Sequence, residues 1–278
     1  MAKKTEQLID LIADLRRRDA EFCVVTVVRT RDATSAKAGA KALVTEDGEI
    51  HGHVGGACVI GATRGIAAEV LKTGVPRLIR VKPTDRVVER LDADGVEHYT
   101  SGCPSGGTVD LFIEPMRRAP RLIVCGAAPV AVALAELGGV MGYRVAVAAK
   151  PEDHGRFAGA DEIIDGFDLA PLGITERDFI VVATQGKGDR DALAAAVASK
   201  AAYVALVGSR RKADVLRGRL REQGMPEDLI SRLHAPAGLD IAAIEPSEIA
   251  LSILGEIVHV RRSGVREAAA PVAAASAK

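Results

Sequence analysis

Hydrophobic positions in the first part of the chain change from a helical spacing to an alternating, strand-like one. Residues 5–18 repeat apolar side chains at nearly the helical period, which predicts an opening helix. Strand-like runs follow, FCVVTVVRT first and then KALVT and EIHGH, with Asp47 and Gly48 in the hairpin turn between the last two. The elements predicted after the hairpin are a helix over 58–72 and strands over 77–82 and 108–114. This mixture indicates an N-terminal α+β domain, which we place at 1–116.

From Arg121 onward, short apolar strands alternate regularly with helical segments. The strand-like runs are RLIVCGA, YRVAVAA, DEIID, DFIVVAT and AYVALVG. This alternation is typical of a parallel sheet with right-handed crossover helices, so we predict an α/β, Rossmann-like domain over 121–264. The short basic connector MRRAP is the predicted domain boundary.

The two ends of the chain lack the pattern of a membrane anchor or a secretion signal. The N-terminal segment is amphipathic, and no apolar run reaches the ~18 residues that cross a bilayer. A last helix is predicted from Ser247, its expected N-cap, to Val260, and the alanine-rich residues 265–278 are expected to be disordered. We therefore expect a cytoplasmic protein without a membrane span.

Composition and charge narrow the range of partners. Hydrophobic residues make up 48% of the 278 but aromatic residues only 3%, which suits two domains with cores of small aliphatic side chains. Lys plus Arg equals Asp plus Glu at 37 each, and no long run of one sign occurs. Nucleic acid is therefore not an expected partner.

The four cysteines divide into two kinds of position. They form no CxxC pair, so neither a disulfide scaffold nor a zinc ribbon is expected, and Cys23 and Cys125 lie in apolar strands. Cys58 and Cys103 lie in glycine-rich segments, GHVGGACVIG and SGCPSGGTVDLFIEP, which can present backbone N–H groups to an anion. Either cysteine could instead be a small buried residue, although a predicted helix start favours the thiolate of Cys58. The candidate residues in these two loops are Gly55, Gly56, Cys58, Cys103, Ser105, Gly106 and Gly107.

A dinucleotide-binding fingerprint is only partly kept at CGAAPVAVAL. Gly126 fills the first glycine position, but Ala128 places a methyl group where a phosphate would approach, and Pro129 lacks a backbone donor. Lys150 stands near the end of the next strand, where an acidic side chain would select NAD. NAD(P) binding is therefore disfavoured, and Lys150 is either a phosphate contact or a solvated lysine.

The segment VGSRRK concentrates positive charge at a predicted helix start. Gly208 permits close backbone approach, Ser209 can cap the helix, and a helix N-terminus attracts anions. The basic residues at this helix start are Arg210, Arg211 and Lys212. A phosphate-rich ligand and a solvated first turn are both open. Farther along, His234 and Asp240 are interpreted as loop-fixing hydrogen-bond partners in preference to an acid–base pair.

Taken together, these motifs resemble the XdhC/CoxI family over nearly the whole chain. They are TVVRTRDATSAKAGAKALVTEDGEIHGHVGGACVIGA, SGGTVDLFIEP, LIVCGAAPVAVAL, GADEII, VALVGSRRK, LHAPAGLDI and EPSEIALSILGEIV. The resemblance implies a chaperone, not an enzyme in its own right, that binds the molybdenum cofactor, assists its sulfuration and inserts it into an apo-molybdoenzyme. The implied clients are of the xanthine dehydrogenase or carbon monoxide dehydrogenase type. The resemblance further implies a sulfur donor such as a cysteine desulfurase, makes Cys58 and Cys103 candidate molybdenum or sulfur contacts, and leaves a homodimer open.

The chain departs from this family pattern at ligand-facing positions. Ala57 and Ile60 stand where the family has a glycine and an acid, and Ser105 replaces a cysteine, with Cys103 displaced by two residues. This divergence favours a specialised member similar to the CoxF-like proteins, and with it the cytosine dinucleotide form of molybdopterin. Two other hypotheses are an NAD(P)-dependent oxidoreductase, from the βαβ rhythm, and a docking scaffold without a ligand, from Ala57, Ser105 and Ala128.

Overall fold

A computed structural model describes residues 2–32, 34–83, 96–101 and 107–269. The chain forms two compact units, the first comprising Met1–Arg118 with Gly264–Lys278 and the second Ala119–Ser263. Among the described residues, no helix has both the length and the apolar character needed to cross a membrane.

Unit 1 is an α+β fold around one mixed sheet. Its elements are α1 (Ala2–Arg17), β1 (Phe22–Arg31), β2 (Lys41–Thr45), β3 (Ile50–Gly52), α2 (Ala57–Thr73), β4 (Arg77–Pro83), β5 (Glu97–Ser101) and β6 (Thr108–Met116). The six strands follow the order β3-β2-β1-β6-β4-β5, and only β4 and β5 pair in parallel. The helix α2 covers one face of the sheet, where Ile66 and Val70 pack with Val25 and Leu111. The helix α1 covers part of the other face through Leu8.

Unit 2 is a parallel, doubly wound sheet, which confirms the predicted Rossmann-like fold. Its elements are β7 (Arg121–Cys125), α3 (Pro129–Val140), β8 (Arg144–Ala149), β9 (Glu162–Asp165), β10 (Asp178–Val182), α4 (Asp189–Ala198), β11 (Tyr203–Leu206), α5 (Arg210–Glu222), α6 (Glu227–Ser231), β12 (Leu233–His234) and α7 (Pro246–Ala269). The strand order is β12-β11-β10-β7-β8-β9, with every pair parallel. The order reverses between β7 and β10. In folds of this type, ligands bind beside such a switch point, at the carboxyl ends of the strands.

Small and medium aliphatic side chains fill a core on each face of this sheet. The helices α3 and α7 pack on one face, where Leu134 and Ile253 meet Val124. The helices α4 and α5 pack on the other, where Leu193 and Leu216 meet strand side chains such as those of Ile180. The strands β7, β8, β10 and β11 are therefore buried on both sides, as the continuous apolar runs predicted, whereas the edge strand β9 is only partly buried.

The start of α7 differs from the prediction. Ser247 is not the N-cap, because the helix already begins at Pro246, whose missing N–H costs nothing in the first turn. The carboxylate of Glu248 accepts hydrogen bonds from the N–H groups of Ile244 at 2.9 Å and Glu245 at 3.0 Å. Glu248 thus satisfies these two backbone donors just before the helix. The helix also continues past Val260 to Ala269, into the segment expected to be disordered.

Candidate functional site

The N-terminus of α2 presents a thiol beside backbone donors that have no hydrogen-bond partner among the described residues. Gly56 is the N-cap, no described side chain caps the helix, and Cys58, its second residue, is partly exposed. Gly55 has φ 146°, and a Cβ there would lie 2.9 Å from the side chain of Val59. Glycine is therefore needed for the chain to enter the helix, and the first-turn N–H groups have no intrahelical partner.

The ends of several strands share this region of unit 1. Arg31 at the end of β1 pairs with Thr108 at the start of β6, and Pro83 pairs with Ser101 at the end of β5. Ser35, which follows β1, lies 3.9 Å from the position that a Cβ would take on Gly56. The start of α2 therefore lies at the sheet end where β5 finishes and β6 begins.

The second glycine loop connects β5 with β6 at this same end. Cys103, Ser105 and Gly106 lie outside the described residues, while Gly107 is described immediately before β6. The pairing of strands thus brings the two boundaries of this loop to the end of the sheet that carries Cys58. Sequence alone does not reveal this, because it depends on which strands are neighbours.

A charged cluster that the sequence did not reveal lies on the face of the sheet opposite α2. Asp110 is 4% exposed and accepts hydrogen bonds from Arg29 Nε at 2.8 Å and Arg80 Nε at 2.6 Å. Burial alone would raise the pKa of the Asp110 carboxyl, but the two guanidinium groups outweigh burial and hold that pKa below its usual value. Asp110 on β6 is therefore linked to β1 and β4 by charged hydrogen bonds.

In unit 2, the glycine-containing loop after β7 packs against the segment after β10, so its backbone N–H donors are not open to a ligand. Gly126 has φ 107°, and a Cβ there would lie 2.6 Å from both Ala183 O and Thr184 Cα. The N–H of Ala128 donates to Ala183 O at 3.3 Å, and Pro129 has no N–H. Two donors that a pyrophosphate would use in a dinucleotide-binding loop are therefore missing or engaged.

The loop between β10 and α4 is a candidate that the sequence analysis missed. It lies at the switch point and has three residues in the left-handed region, Gln185 at φ 51°, Gly186 at 95° and Gly188 at 99°. Lys187 is exposed and makes no ion pair with a described residue. The available sequence signal was the glycine-rich segment ATQGKG directly after a buried strand. In the structure, Gln185 is a non-glycine residue with positive φ, which is uncommon and often marks a functional loop.

Asp189 ties this loop to the start of α5. Its buried carboxylate accepts hydrogen bonds from the Thr184 hydroxyl and, at 3.2 Å, from the Gly186 N–H, and it pairs with Lys212 Nζ at 2.6 Å. Burial acts to raise the pKa of Asp189, but these partners outweigh it and lower that pKa. Because Asp189 already neutralises Lys212, this lysine is less available to a phosphate than the sequence suggested. Gly208 leaves room for the Lys212 side chain, whose Cδ lies 3.1 Å from the Cβ position of Gly208.

The remaining predicted cations at the carboxyl edge of this sheet are exposed. Lys150, Arg210 and Arg211 make no ion pair with any residue that the structure describes. Ser209 caps α5 by accepting a hydrogen bond from the Lys212 N–H at 3.3 Å, as predicted. An open cavity of about 320 Å³ beside this helix is lined by Asp189, Ser209, Arg211, Lys212, Val215, Leu216 and Arg219. This edge therefore offers positive charge to an anionic ligand.

His234 belongs to a hydrogen-bonded group that fixes the loop before α7. Its Nδ1 lies 2.9 Å from Glu256 Oε1, while Glu256 Oε2 accepts from the Tyr203 hydroxyl at 2.6 Å and the Gly238 N–H at 2.8 Å. Burial would raise the pKa of Glu256, but these hydrogen bonds lower it overall. The loop-fixing interpretation of His234 is confirmed, whereas Asp240 is exposed and takes no part in this group.

Both units match models of known protein families. The XdhC Rossmann domain model matches residues 122–257, and the XdhC and CoxI family model matches residues 15–82. The chain belongs to the XdhC/CoxI family. Cys58 and α2 lie within the second match, and the switch-point loop with Lys187 and Asp189 lies within the first.

The chain is also similar to several curated proteins. The chain is 31% identical over 261 residues to the uncharacterized protein YqeB of Escherichia coli, covering 90% of this chain and 46% of YqeB. It is 32% identical over 162 residues to a probable xanthine dehydrogenase subunit of Bacillus subtilis, covering 56% of this chain and 47% of that protein. It is 26% identical over 279 residues to the molybdenum cofactor insertion chaperone PaoD of Escherichia coli, covering 86% and 83%. The chain thus spans about half the length of the first two relatives.

Proposed function

We propose that this member of the XdhC/CoxI family binds the molybdenum cofactor as cargo and delivers it to an apo-molybdoenzyme. The observation that carries the proposal is the family match in both units, together with the 83% coverage of PaoD, a molybdenum cofactor insertion chaperone by name. The protein acts as a chaperone, so its residues hold and release the cofactor without converting a substrate of their own.

The start of α2 has donor groups that suit this cargo. A thiol is a soft ligand appropriate to a molybdenum or sulfur contact, and unpaired N–H groups at a helix N-terminus attract the anionic phosphate of a pterin cofactor. Cys58 is partly exposed and stands in the first turn of α2, which no described side chain caps. Its thiol would contact the molybdenum or the sulfur being delivered, and Gly55 and Gly56 would keep the surrounding backbone accessible. Cys103 has the same role in this proposal.

The carboxyl edge of the sheet in unit 2 supports a dinucleotide form of the cofactor. Lys150, Lys187, Arg210 and Arg211 are exposed cations without an ion-pair partner among the described residues. The cytosine dinucleotide form carries a pyrophosphate, which several cations bind better than one. We further propose that a cysteine desulfurase supplies the sulfur of the cofactor. The client that receives the cofactor is proposed to be of the xanthine dehydrogenase or carbon monoxide dehydrogenase type.

Exchange of Cys58 for serine tests the role of its thiol. The full chain and its Cys58→Ser variant are purified from cells that make the cofactor, and the pterin released on denaturation is measured by fluorescence. We expect clearly less pterin in the variant, because losing roughly 1.4 kcal/mol of binding energy raises the dissociation constant about tenfold.

Cys23→Ser is the matched control for this experiment. Cys23 is fully buried, and its thiol donates to Ala67 O at 3.5 Å, a hydrogen bond that a serine hydroxyl can also make. This variant should keep the pterin content of the parent. Equal pterin in Cys58→Ser and the parent would show that the Cys58 thiol does not hold the cargo.

A further inference from the structure

The open cavity beside α5 extends along this helix for about two turns. Arg211, Val215 and Arg219 line it at a spacing of four residues, which keeps their side chains on one side of the helix. Ser209, the cap of α5, and Asp189, in the first turn of α4, also line it. With about 320 Å³, the cavity is large enough for a small organic molecule.

The arginines of α5 differ in whether a carboxylate neutralises them. Arg217 and Arg221 each pair with a carboxylate, and Arg221 donates two hydrogen bonds to Glu227, at 2.8 and 2.7 Å. Arg211 and Arg219 make no ion pair with a residue in the described part of the chain. Both guanidinium groups that line the cavity are therefore available to an anion.

The third cation of the cavity is already neutralised. Lys212 Nζ lies 2.6 Å from Asp189 Oδ2, so the charges of these two lining residues cancel. The net positive charge of the cavity therefore comes from Arg211 and Arg219. These two arginines lie eight residues apart, which is about 12 Å along a helix.

Aliphatic surface separates the two arginines. Val215 lies midway between them and is 50% exposed, and the neighbouring Leu216 is buried beneath the cavity. A guanidinium group binds a carboxylate or a phosphate group through two parallel hydrogen bonds. The lining is therefore complementary to an elongated molecule that has an acidic group at each end and an apolar chain between them.

We propose that the cavity beside α5 is a binding site for an elongated small molecule with two acidic groups. Arg211 and Arg219 each bind one acidic group, and Val215 and Leu216 pack against the apolar chain between them. The Ser209 oxygen accepts from the Lys212 N–H, which leaves the hydroxyl proton free for the acidic group at Arg211.

This site goes beyond cofactor binding and does not depend on it. Arg211 is the one lining residue that is also among the cations proposed to bind the molybdenum cofactor. Arg219 and Val215 belong to the cavity alone, so a substitution at Arg219 separates the two roles.

Isothermal titration calorimetry of the full chain with decanedioate tests the site, because the extended chain of this dicarboxylate suits the separation of the two arginines. Decanoate, which has the same chain and one carboxylate, is the matched probe. We expect decanedioate to bind about tenfold more tightly than decanoate, because only the dicarboxylate engages both guanidinium groups. Butanedioate is too short to reach both arginines and should lose this advantage.

Arg219→Gln should raise the dissociation constant of decanedioate about tenfold, to the level of decanoate, because one charged pair is lost. Arg221→Gln is the matched control, since it removes the same charge from the same helix but Arg221 does not line the cavity. This control should keep the affinity of the parent. Both variants should keep the pterin content and the thermal unfolding midpoint of the parent.

Equal affinity of the parent for decanedioate and decanoate would overturn the proposal. Equal effects of Arg219→Gln and Arg221→Gln would do the same. If Arg219→Gln lost pterin together with decanedioate binding, the cavity would belong to the cofactor, and a separate ligand would be wrong. A parent that binds decanedioate through Arg219 but carries no pterin would support this site and contradict only the cofactor role.

Discussion

The backbone at Gly126 determines how two loops of unit 2 meet. Its left-handed conformation, with φ 107°, lets the chain pass within contact of Ala183 and Thr184. Gly139, near the end of α3, is different, because the position of a Cβ there has no neighbour within 4 Å among the atoms considered. Glycine is therefore required by space and by conformation at the first position and by neither at the second.

Gly126→Ala is expected to lower the free energy of unfolding by about 3 kcal/mol, because a side chain strains the left-handed backbone and displaces the neighbouring loop. Gly139→Ala, the matched control, should raise it by roughly 0.5 kcal/mol, because alanine favours the helix. Urea unfolding of both variants measures the difference. A Gly126→Ala variant as stable as Gly139→Ala would contradict the close approach of the two loops.

Local sequence patterns were sufficient to predict the cap or the burial of some residues, but they could not predict ion pairs between distant residues. Ser209 as a cap and Cys23 and Cys125 as buried thiols follow from neighbours in the sequence, and the structure confirms them. The pairing of Arg29 with Asp110 joins residues 81 positions apart, so it appears only once β1 and β6 are known to be neighbours. For Lys212, the sequence left a phosphate contact and a solvated lysine both open, because its ion-pair partner Asp189 lies on another helix and could not be foreseen.

At the scale of elements, Asp189 joins the switch-point loop to α5. Its lowered pKa means that the folded state favours the ionised carboxylate of Asp189 more than the unfolded chain does. The stabilisation is therefore complete at pH values above the ordinary value of 3.8 and is lost as the pH falls through the lower folded-state pKa.

Asp189→Asn should lower the free energy of unfolding at neutral pH by about 2 kcal/mol, because Lys212 loses its charged partner while partly buried. The difference between parent and variant should shrink as the pH falls through this acid range. Asp191→Asn is the control, because the Asp191 side chain is 69% exposed in the same helix. Urea unfolding at a series of pH values tests this, and a constant difference between parent and Asp189→Asn would contradict the role of the carboxylate.

Elements were predictable where burial imposed a clear pattern. The strands β7, β8, β10 and β11 of unit 2 are buried on both faces, so each reads as a nearly continuous apolar run, and the parallel sheet was predicted from their alternation with helices. The strand β5 was missed, because Tyr99 is the one hydrophobic residue in its sequence EHYTS and gives no alternating pattern. The start of α7 was misplaced by a residue, because Ser247 is a good capping residue and Pro246 a good first helical residue, and only the structure decides between them.

At the scale of the whole chain, the family and its two folds were evident from sequence, but the arrangement of the first site was not. The motifs around Cys58 and along VGSRRK are contiguous, so they could be recognised directly. That the start of α2 and the boundaries of the second glycine loop share one end of a sheet depends on the pairing of β1, β6, β4 and β5. Likewise, the position of the Lys187 loop at the switch point can be recognised only when the strand order is known.

The most direct test of the central claim is the cargo of the full chain itself. The protein is produced in cells that make the molybdenum cofactor, purified and denatured. Released pterin is then measured by fluorescence, released nucleotide by chromatography and molybdenum by mass spectrometry. A chaperone of this cofactor should release near-stoichiometric pterin together with cytidine nucleotide and molybdenum. Folded protein that carries no pterin would contradict the claim and would favour a docking scaffold instead.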